Sequence, residues 1–142
     1  MESFKRLIVP MSMLFLFAAI PSMAQIETRV IFQAPFEFYA GNTKLPAGSY
    51  TVTQPDDYEE MLLIEDANGS HSTFVEYVPA PSQTPASKTE VTFNKYGKTD
   101  FLNHIFLQGQ TYGIEILRSK AEKNAAKAAS SEKHSLTAKN GR

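Results

Sequence analysis

The sequence predicts an all-β domain: a small antiparallel β-sandwich or flattened barrel of about seven or eight strands, followed by a C-terminal tail that is helical and then disordered. Three observations predict it. Apolar residues recur at every second position over most of the chain, the period of a half-buried strand. Turn dipeptides punctuate those runs at strand-like spacing. After Leu117 the alternation stops, and an Ala/Lys-rich run of helix formers takes over.

The first 24 residues are set apart from the fold. Lys5 and Arg6 precede an apolar run over residues 7–20, and Ser22 and Ala24 are small residues placed for cleavage between Ala24 and Gln25. This is the pattern of a signal peptide. The alternative is an uncleaved anchor, but the run is short for a membrane span and Pro10 and Pro21 interrupt it. The expected organisation is a signal peptide over 1–24, a β domain over 25–117 and a basic tail over 118–142. No later stretch is long and apolar enough to span a bilayer, so the mature chain is expected to be exported to the periplasm or the cell exterior.

Ile26, Thr28, Val30 and Phe32 share one face of the first strand, and Phe36 and Phe38 continue after Pro35. In "LPAGSYTV", residues 45–52, Pro46 suits position i+1 of a type I turn and Gly48 suits i+3 in a left-handed conformation. Tyr50 and Val52 then alternate in the next strand. The phrase has the start of a sortase signal but lies in mid-chain and lacks its Thr, so it reads as a turn. Leu62 and Ile64 oppose Met61 and Leu63, so that strand is expected to be buried on both faces, and Asn68-Gly69 then marks a hairpin into a strand with Phe74 and Val78. Residues 79–88, "PAPSQTPASK", form a Pro/Ser-rich connection long enough to cross between sheets. Further strands follow at Val91 and Phe93, over 101–108 and over 111–117. In the tail, Ser119 and Glu122 have capping-box spacing. The only apolar residues of that helix are alanines, so it buries little and its helicity is marginal unless something docks it. Residues 131–142 read as disordered.

There is no cysteine, which excludes a disulfide scaffold and a thiol nucleophile. A mature chain of about 118 residues buries enough surface to fold without staples, and ten Phe and six Tyr supply its core. The formal net charge of −1 conceals an asymmetry. Residues 25–117 carry five basic and twelve acidic residues. The tail carries seven basic residues (Arg118, Lys120, Lys123, Lys127, Lys133, Lys139 and Arg142) against two acidic ones. An acidic body thus bears a basic tail. The tail has no interleaved aromatics, and an exported protein rarely meets nucleic acid, so no nucleic-acid partner is expected.

Candidate chemistry is sparse. His71, His104 and His134 share no metal-ligand spacing. His104 is the chief surface candidate, inside an apolar strand with Leu102 and Phe106 expected on its side. Asp56, Asp57, Glu59 and Glu60 form an acidic run that could gather oxygen ligands for Ca²⁺, and also reads as a solvated loop. Asp66, Asn68 and Ser70 alternate, yet Gly69 is misplaced for an EF-hand loop. Six tyrosines without a tryptophan make a weak sugar platform, and Tyr50 and Tyr77 read equally as core. No catalytic residue and no cofactor is assigned.

Three segments together resemble a known pattern: "PFEFYAGNTKLPAGSYTV" over 35–52, "FNKYGKTDFLNHIF" over 93–106 and "LRSKAEK" over 117–123. They are similar to an uncharacterised family of short exported proteins abundant in acidobacteria. One departure is Phe106, where that family is expected to carry Trp. The resemblance implies export and a shared β fold, and it carries no activity. The leading expectation is an exported, non-catalytic protein with a binding or structural role at the cell envelope, its basic tail reaching an anionic surface or a protein, or folding back on the acidic body. The rivals are an extracytoplasmic hydrolase built on His104 or His71 with acidic partners, and a carbohydrate- or Ca²⁺-binding module.

Overall fold

The structure, a computed structural model, describes residues 29–141. The signal segment, the cleavage site at Ala24 and Gln25, and the first positions of the opening strand lie outside the described residues. The elements are β1 (Arg29–Ala34), β2 (Phe38–Ala40), β3 (Thr43–Leu45), β4 (Gly48–Thr53), β5 (Met61–Asp66), β6 (Ser72–Pro81), β7 (Glu90–Tyr96), β8 (Thr99–Phe106), β9 (Tyr112–Ile116), α1 (Lys120–Ala128), β10 (Ser131–Thr137) and β11 (Lys139–Gly141). The all-β expectation holds. The strand number does not: eleven strands form among the described residues, against the seven or eight expected.

Hydrogen bonding links the strands into one mixed sheet in the order β10-β7-β8-β9-β6-β5-β4-β1-β11, with β2 joined to β8 and β3 joined to β2. Among the named strands every pairing is antiparallel except a parallel contact at Tyr39 and Phe101, where β2 enters beside the first half of β8; outside them Ala86 and Gln108 form an isolated parallel bridge. β6 changes partner along its length. Residues up to Glu76 pair with β5, and residues from Tyr77 pair with β9. The two ends of the path, β10 and β11, are separated in the chain by Ala138 alone. Ala138 is buried, and its N–H donates to the Thr89 carbonyl at 2.9 Å.

The alternation read from the sequence sets the core. Val30, Phe32 and Ala34 of β1, Tyr50 and Val52 of β4, and Leu62 and Ile64 of β5 are all buried. Phe32, Phe38, Tyr50 and Phe93 pack as an aromatic cluster with centroid separations of 5.1–6.2 Å. The Tyr50 hydroxyl donates to the Pro46 carbonyl, tying the turn over 45–48 to the core. Gly48 corrects an expectation. It does not take the left-handed conformation but already pairs with Ala34 as the first residue of β4. Positive φ falls instead on Gly41, Gly69, Gly97 and Gly109, and on Glu60. Gly41 opens the two-residue turn of the β2–β3 hairpin, a position that suits glycine.

Two further expectations fail for tertiary reasons. Residues 131–141 are not a disordered tail. Residues 131–137 pair along the whole of β7, from Ser131 opposite Tyr96 to Thr137 opposite Glu90, and residues 139–141 pair with β1. The segment has little apolar content of its own, and neighbouring strand edges supply the partners for its backbone. Leu102 does not share a face with His104. Thr92 pairs with His104 while Phe93 pairs with Leu102, so Asn103 is an extra residue in β8. This bulge turns both Leu102 and Ile105 toward the core.

Candidate functional site

The tail helix is docked, and a carboxylate does the docking. Ser119 caps α1, its hydroxyl accepting from the Glu122 N–H at 3.1 Å. The expected return bond from the Glu122 carboxylate is absent. Glu122 is instead 3% exposed, and its Oε1 accepts from Asn94 Nδ2 and Tyr96 Oη, both at 3.0 Å. Asn94 and Tyr96 lie on β7, so one acidic side chain fixes the helix to the sheet. Burial, then the hydrogen bond to Glu122, pushes the Tyr96 hydroxyl pKa up. Arg118 Nε lies 3.9 Å from the same Oε1. At the helix start, the Ala121 N–H donates to Asn42 Oδ1 in the β2–β3 turn at 3.1 Å.

This arrangement presents the basic residues of the tail on a folded surface. Lys120, Lys123 and Lys127 are exposed on α1. Lys133 of β10 is exposed and lies opposite Asn94 in register, beside the residue that Glu122 holds. Among the described residues none of these four lysines has a carboxylate within 4.0 Å.

The three histidines stay apart, and each meets one carboxylate. His134 Nε2 lies 2.5 Å from Asp100 Oδ1, and its ring stacks on Phe36 at 4.9 Å. Asp100 is buried at the edge of a small cleft lined by Glu37, Tyr39, Lys44, Lys98 and Thr99, across which Lys44 and Glu37 pair at 3.2 Å. His104 is half-buried on β8, 3.9 Å from Glu115 of β9 and stacked on Phe106 at 5.4 Å. Burial pushes the pKa of its ring down, against a smaller upward pull from Glu115. His71 Nδ1 lies 3.0 Å from Asp66 Oδ2 in the β5–β6 turn. There the Ser70 hydroxyl donates to Asp66 Oδ2 at 2.7 Å and lies 3.3 Å from His71 Nδ1, so the three side chains clamp the turn. Hydrogen bonds from Ser70 and then His71 hold the Asp66 carboxyl well below the usual carboxylate range.

The acidic run stays a loop. Asp56, Asp57, Glu59 and Glu60 are all exposed between β4 and β5. Among the described residues no three His, Cys, Asp or Glu side chains converge as a metal site. Tyr50 belongs to the core, and Tyr77 packs against it half-buried. Among the described residues no helix is long and apolar enough to cross a membrane.

Sequence reasoning singled out His104 and the acidic run. It missed the polar set that organises the tail: Asn94, Tyr96, Asp100, Glu122 and His134. The signal was partial. The Ser119–Glu122 spacing was visible, but the spacing alone could not show that β7 would outcompete the helix's own first turn for the carboxylate. Comparison with known protein families, with curated proteins and with solved structures finds no match.

Proposed function

We propose that this chain is an exported β-domain protein with a non-catalytic binding role at the cell envelope, holding anionic lipid headgroups with the face made by α1 and β10. The observation that supports this reading is the fixed placement of Lys123, Lys127 and Lys133, exposed and without a carboxylate partner among the described residues. A docked helix and a paired strand hold the backbone that carries these charges at set spacings, so binding costs side-chain but not backbone ordering. The reading takes residues 1–24 as a cleaved signal and the chain as a member of the short exported family it resembles. It also takes the sheet as a flattened barrel, with β6 and the continuous β10–β11 segment as the strands that turn its corners.

The test is co-sedimentation with vesicles of phosphatidylcholine alone or mixed with phosphatidylglycerol. Binding is expected only with the anionic lipid, and it should weaken as salt shortens the screening length. Each basic residue near such a surface contributes about 1 kcal/mol, so Lys123→Gln with Lys127→Gln and Lys133→Gln should lower partitioning roughly a hundredfold. Equal binding by the triple variant and the parent would refute the reading.

A further inference from the structure

Of the six asparagines in the chain, only Asn68 begins an Asn-x-Ser/Thr sequence, Asn68-Gly69-Ser70. That triplet is the acceptor signal for N-linked glycosylation, and in an exported protein it belongs on a surface loop. The structure puts it at the tip of the β5–β6 hairpin. The Gly69 N–H donates to the Asp66 carbonyl at 3.0 Å, so Asp66 to Gly69 form a β-turn with Ala67 and Asn68 at its centre. Gly69 closes the turn in a left-handed conformation, φ 69°. Residues 67–71 are all exposed.

The Asn68 side chain has no task in this turn. Turn asparagines commonly bond the backbone two residues on. Here Asp66 does that work: its Oδ1 accepts from the Ser70 N–H at 2.8 Å, and its Oδ2 accepts from the Ser70 hydroxyl at 2.7 Å and lies 3.0 Å from His71 Nδ1. Both Asp66 oxygens are thus engaged within the turn, which leaves no open carboxylate for a cation. Among the described residues the Asn68 amide makes no hydrogen bond. Four other asparagines are committed to the fold. Asn42 accepts from the Ala121 N–H, Asn94 donates to Glu122, Asn140 accepts from the Thr89 hydroxyl, and Asn103 is buried in the β8 bulge.

We infer that Asn68 is a glycosylation site, its side-chain nitrogen carrying an oligosaccharide. The donor is an oligosaccharide on a polyprenyl diphosphate, and a membrane oligosaccharyltransferase makes the transfer. Asn68 Nδ2 bonds to the anomeric carbon of the first sugar as the bond from that carbon to the diphosphate oxygen breaks. The polyprenyl diphosphate leaves with the electron pair, and the amide gives up one proton; nothing is oxidised or reduced. The inference rests on the export reading given above, because donor and transferase meet only a chain that crosses the membrane; it does not rest on the lysine face. The triplet works through its Ser hydroxyl, which the folded turn gives to Asp66. Transfer therefore precedes closure of the β5–β6 hairpin. Once the hairpin closes, a glycan on Asn68 points into solvent and displaces no contact.

The test is intact-mass spectrometry of the chain purified from each fraction of its own cells, followed by peptide mapping. The expected result is an exported chain that starts at Gln25 and carries a mass increment of whole sugar residues on the peptide holding Asn68. Asn68→Gln and Ser70→Ala should each remove the increment completely. Ser70→Thr keeps the hydroxyl and should retain it, and Asn124→Gln, at an exposed asparagine outside the triplet, should leave it unchanged. Because transfer precedes folding, the mass reads the site even in a variant whose turn is weakened. An exported chain without added sugar overturns the glycan and leaves the export reading standing. A chain confined to the cytosol overturns the export reading and the glycan with it. An increment that survives Asn68→Gln overturns the assignment to Asn68.

Discussion

Replacing Glu122 by alanine isolates the contact that holds α1 to the sheet. The carboxylate is 3% exposed, and its Oε1 accepts from Asn94 Nδ2 and Tyr96 Oη at 3.0 Å each. Alanine leaves both donors buried without an acceptor. A hydrogen bond to a charged group contributes about 1.5–3 kcal/mol, so the pair sets an upper bound of about 3–6 kcal/mol. Two effects reduce it. Removing the carboxylate relieves its own desolvation. The helix can also lift away and return both donors to water, and with only alanines as apolar side chains it forfeits little buried area by doing so. The expected loss is therefore about 2–3 kcal/mol of unfolding free energy. Urea unfolding followed by circular dichroism reads it, and amide exchange over 120–128 should quicken. Glu122→Gln separates shape from charge. Its oxygen can still accept from Tyr96, and its new NH₂ can donate to Asn94 Oδ1, a buried atom that lacks a partner. That variant should lie within about 1 kcal/mol of the parent. An alanine variant that unfolds within about 0.5 kcal/mol of the parent, the range of an ordinary surface change, would refute the latch.

Gly113→Ala should cost about 1–3 kcal/mol, because a Cβ there would stand 2.6 Å from Phe106 Cδ1 and 2.8 Å from the Ile105 carbonyl oxygen; a thermal melt unchanged from the parent would contradict this packing. Tyr50, Tyr77 and Tyr96 all have their pKa raised in the fold, chiefly by burial. Their contribution is complete below the unfolded tyrosine value, near 10, and is lost as pH rises through the folded values, with a slope of about 1.4 kcal/mol per pH unit for each. Tyr96→Phe should flatten that alkaline limb in a pH series of urea titrations. His104 and Asp66 have lowered pKa values, so their contributions vanish as pH falls below the ordinary histidine and aspartate values respectively; His104→Gln should soften the loss just below pH 6.5. Deleting residues 131–142 should abolish cooperative unfolding, since it strips the pairing from one edge of β7 and one edge of β1; a truncated chain with the parent's melting profile would show the segment to be dispensable.

Local pattern served well where each strand has one buried face. Val30, Phe32, Tyr50 and Val52 lie inward as alternation predicts, and all are buried, whereas β5, expected to bury both faces, buries Leu62 and Ile64 and leaves Met61 and Leu63 half-buried. It failed at Leu102, because period two assumes an unbroken register and the extra Asn103 shifts it. It failed at Gly48, because a glycine tolerates positive φ without requiring it, and pairing with Ala34 settled the backbone. His134 was set aside with a polar tail. Its ring is placed by Asp100, Phe36 and Phe93, residues 34 to 98 positions away, which no local window contains.

Residue chemistry alone determined that this chain folds as β structure, where most of its turns fall, that its core is aromatic and aliphatic without disulfides, and that its charge divides between body and tail. These are properties of short windows and of composition, governed by side-chain size, backbone freedom and charge. Only the tertiary structure decided what becomes of the tail. A polar segment of low apolar content has no reason to order by itself. It orders here because β7 and β1 supply open backbone partners and because Asn94 and Tyr96 supply donors for a carboxylate that its own helix leaves unused. The positions of the exposed lysines follow from that docking and from no local feature of the chain.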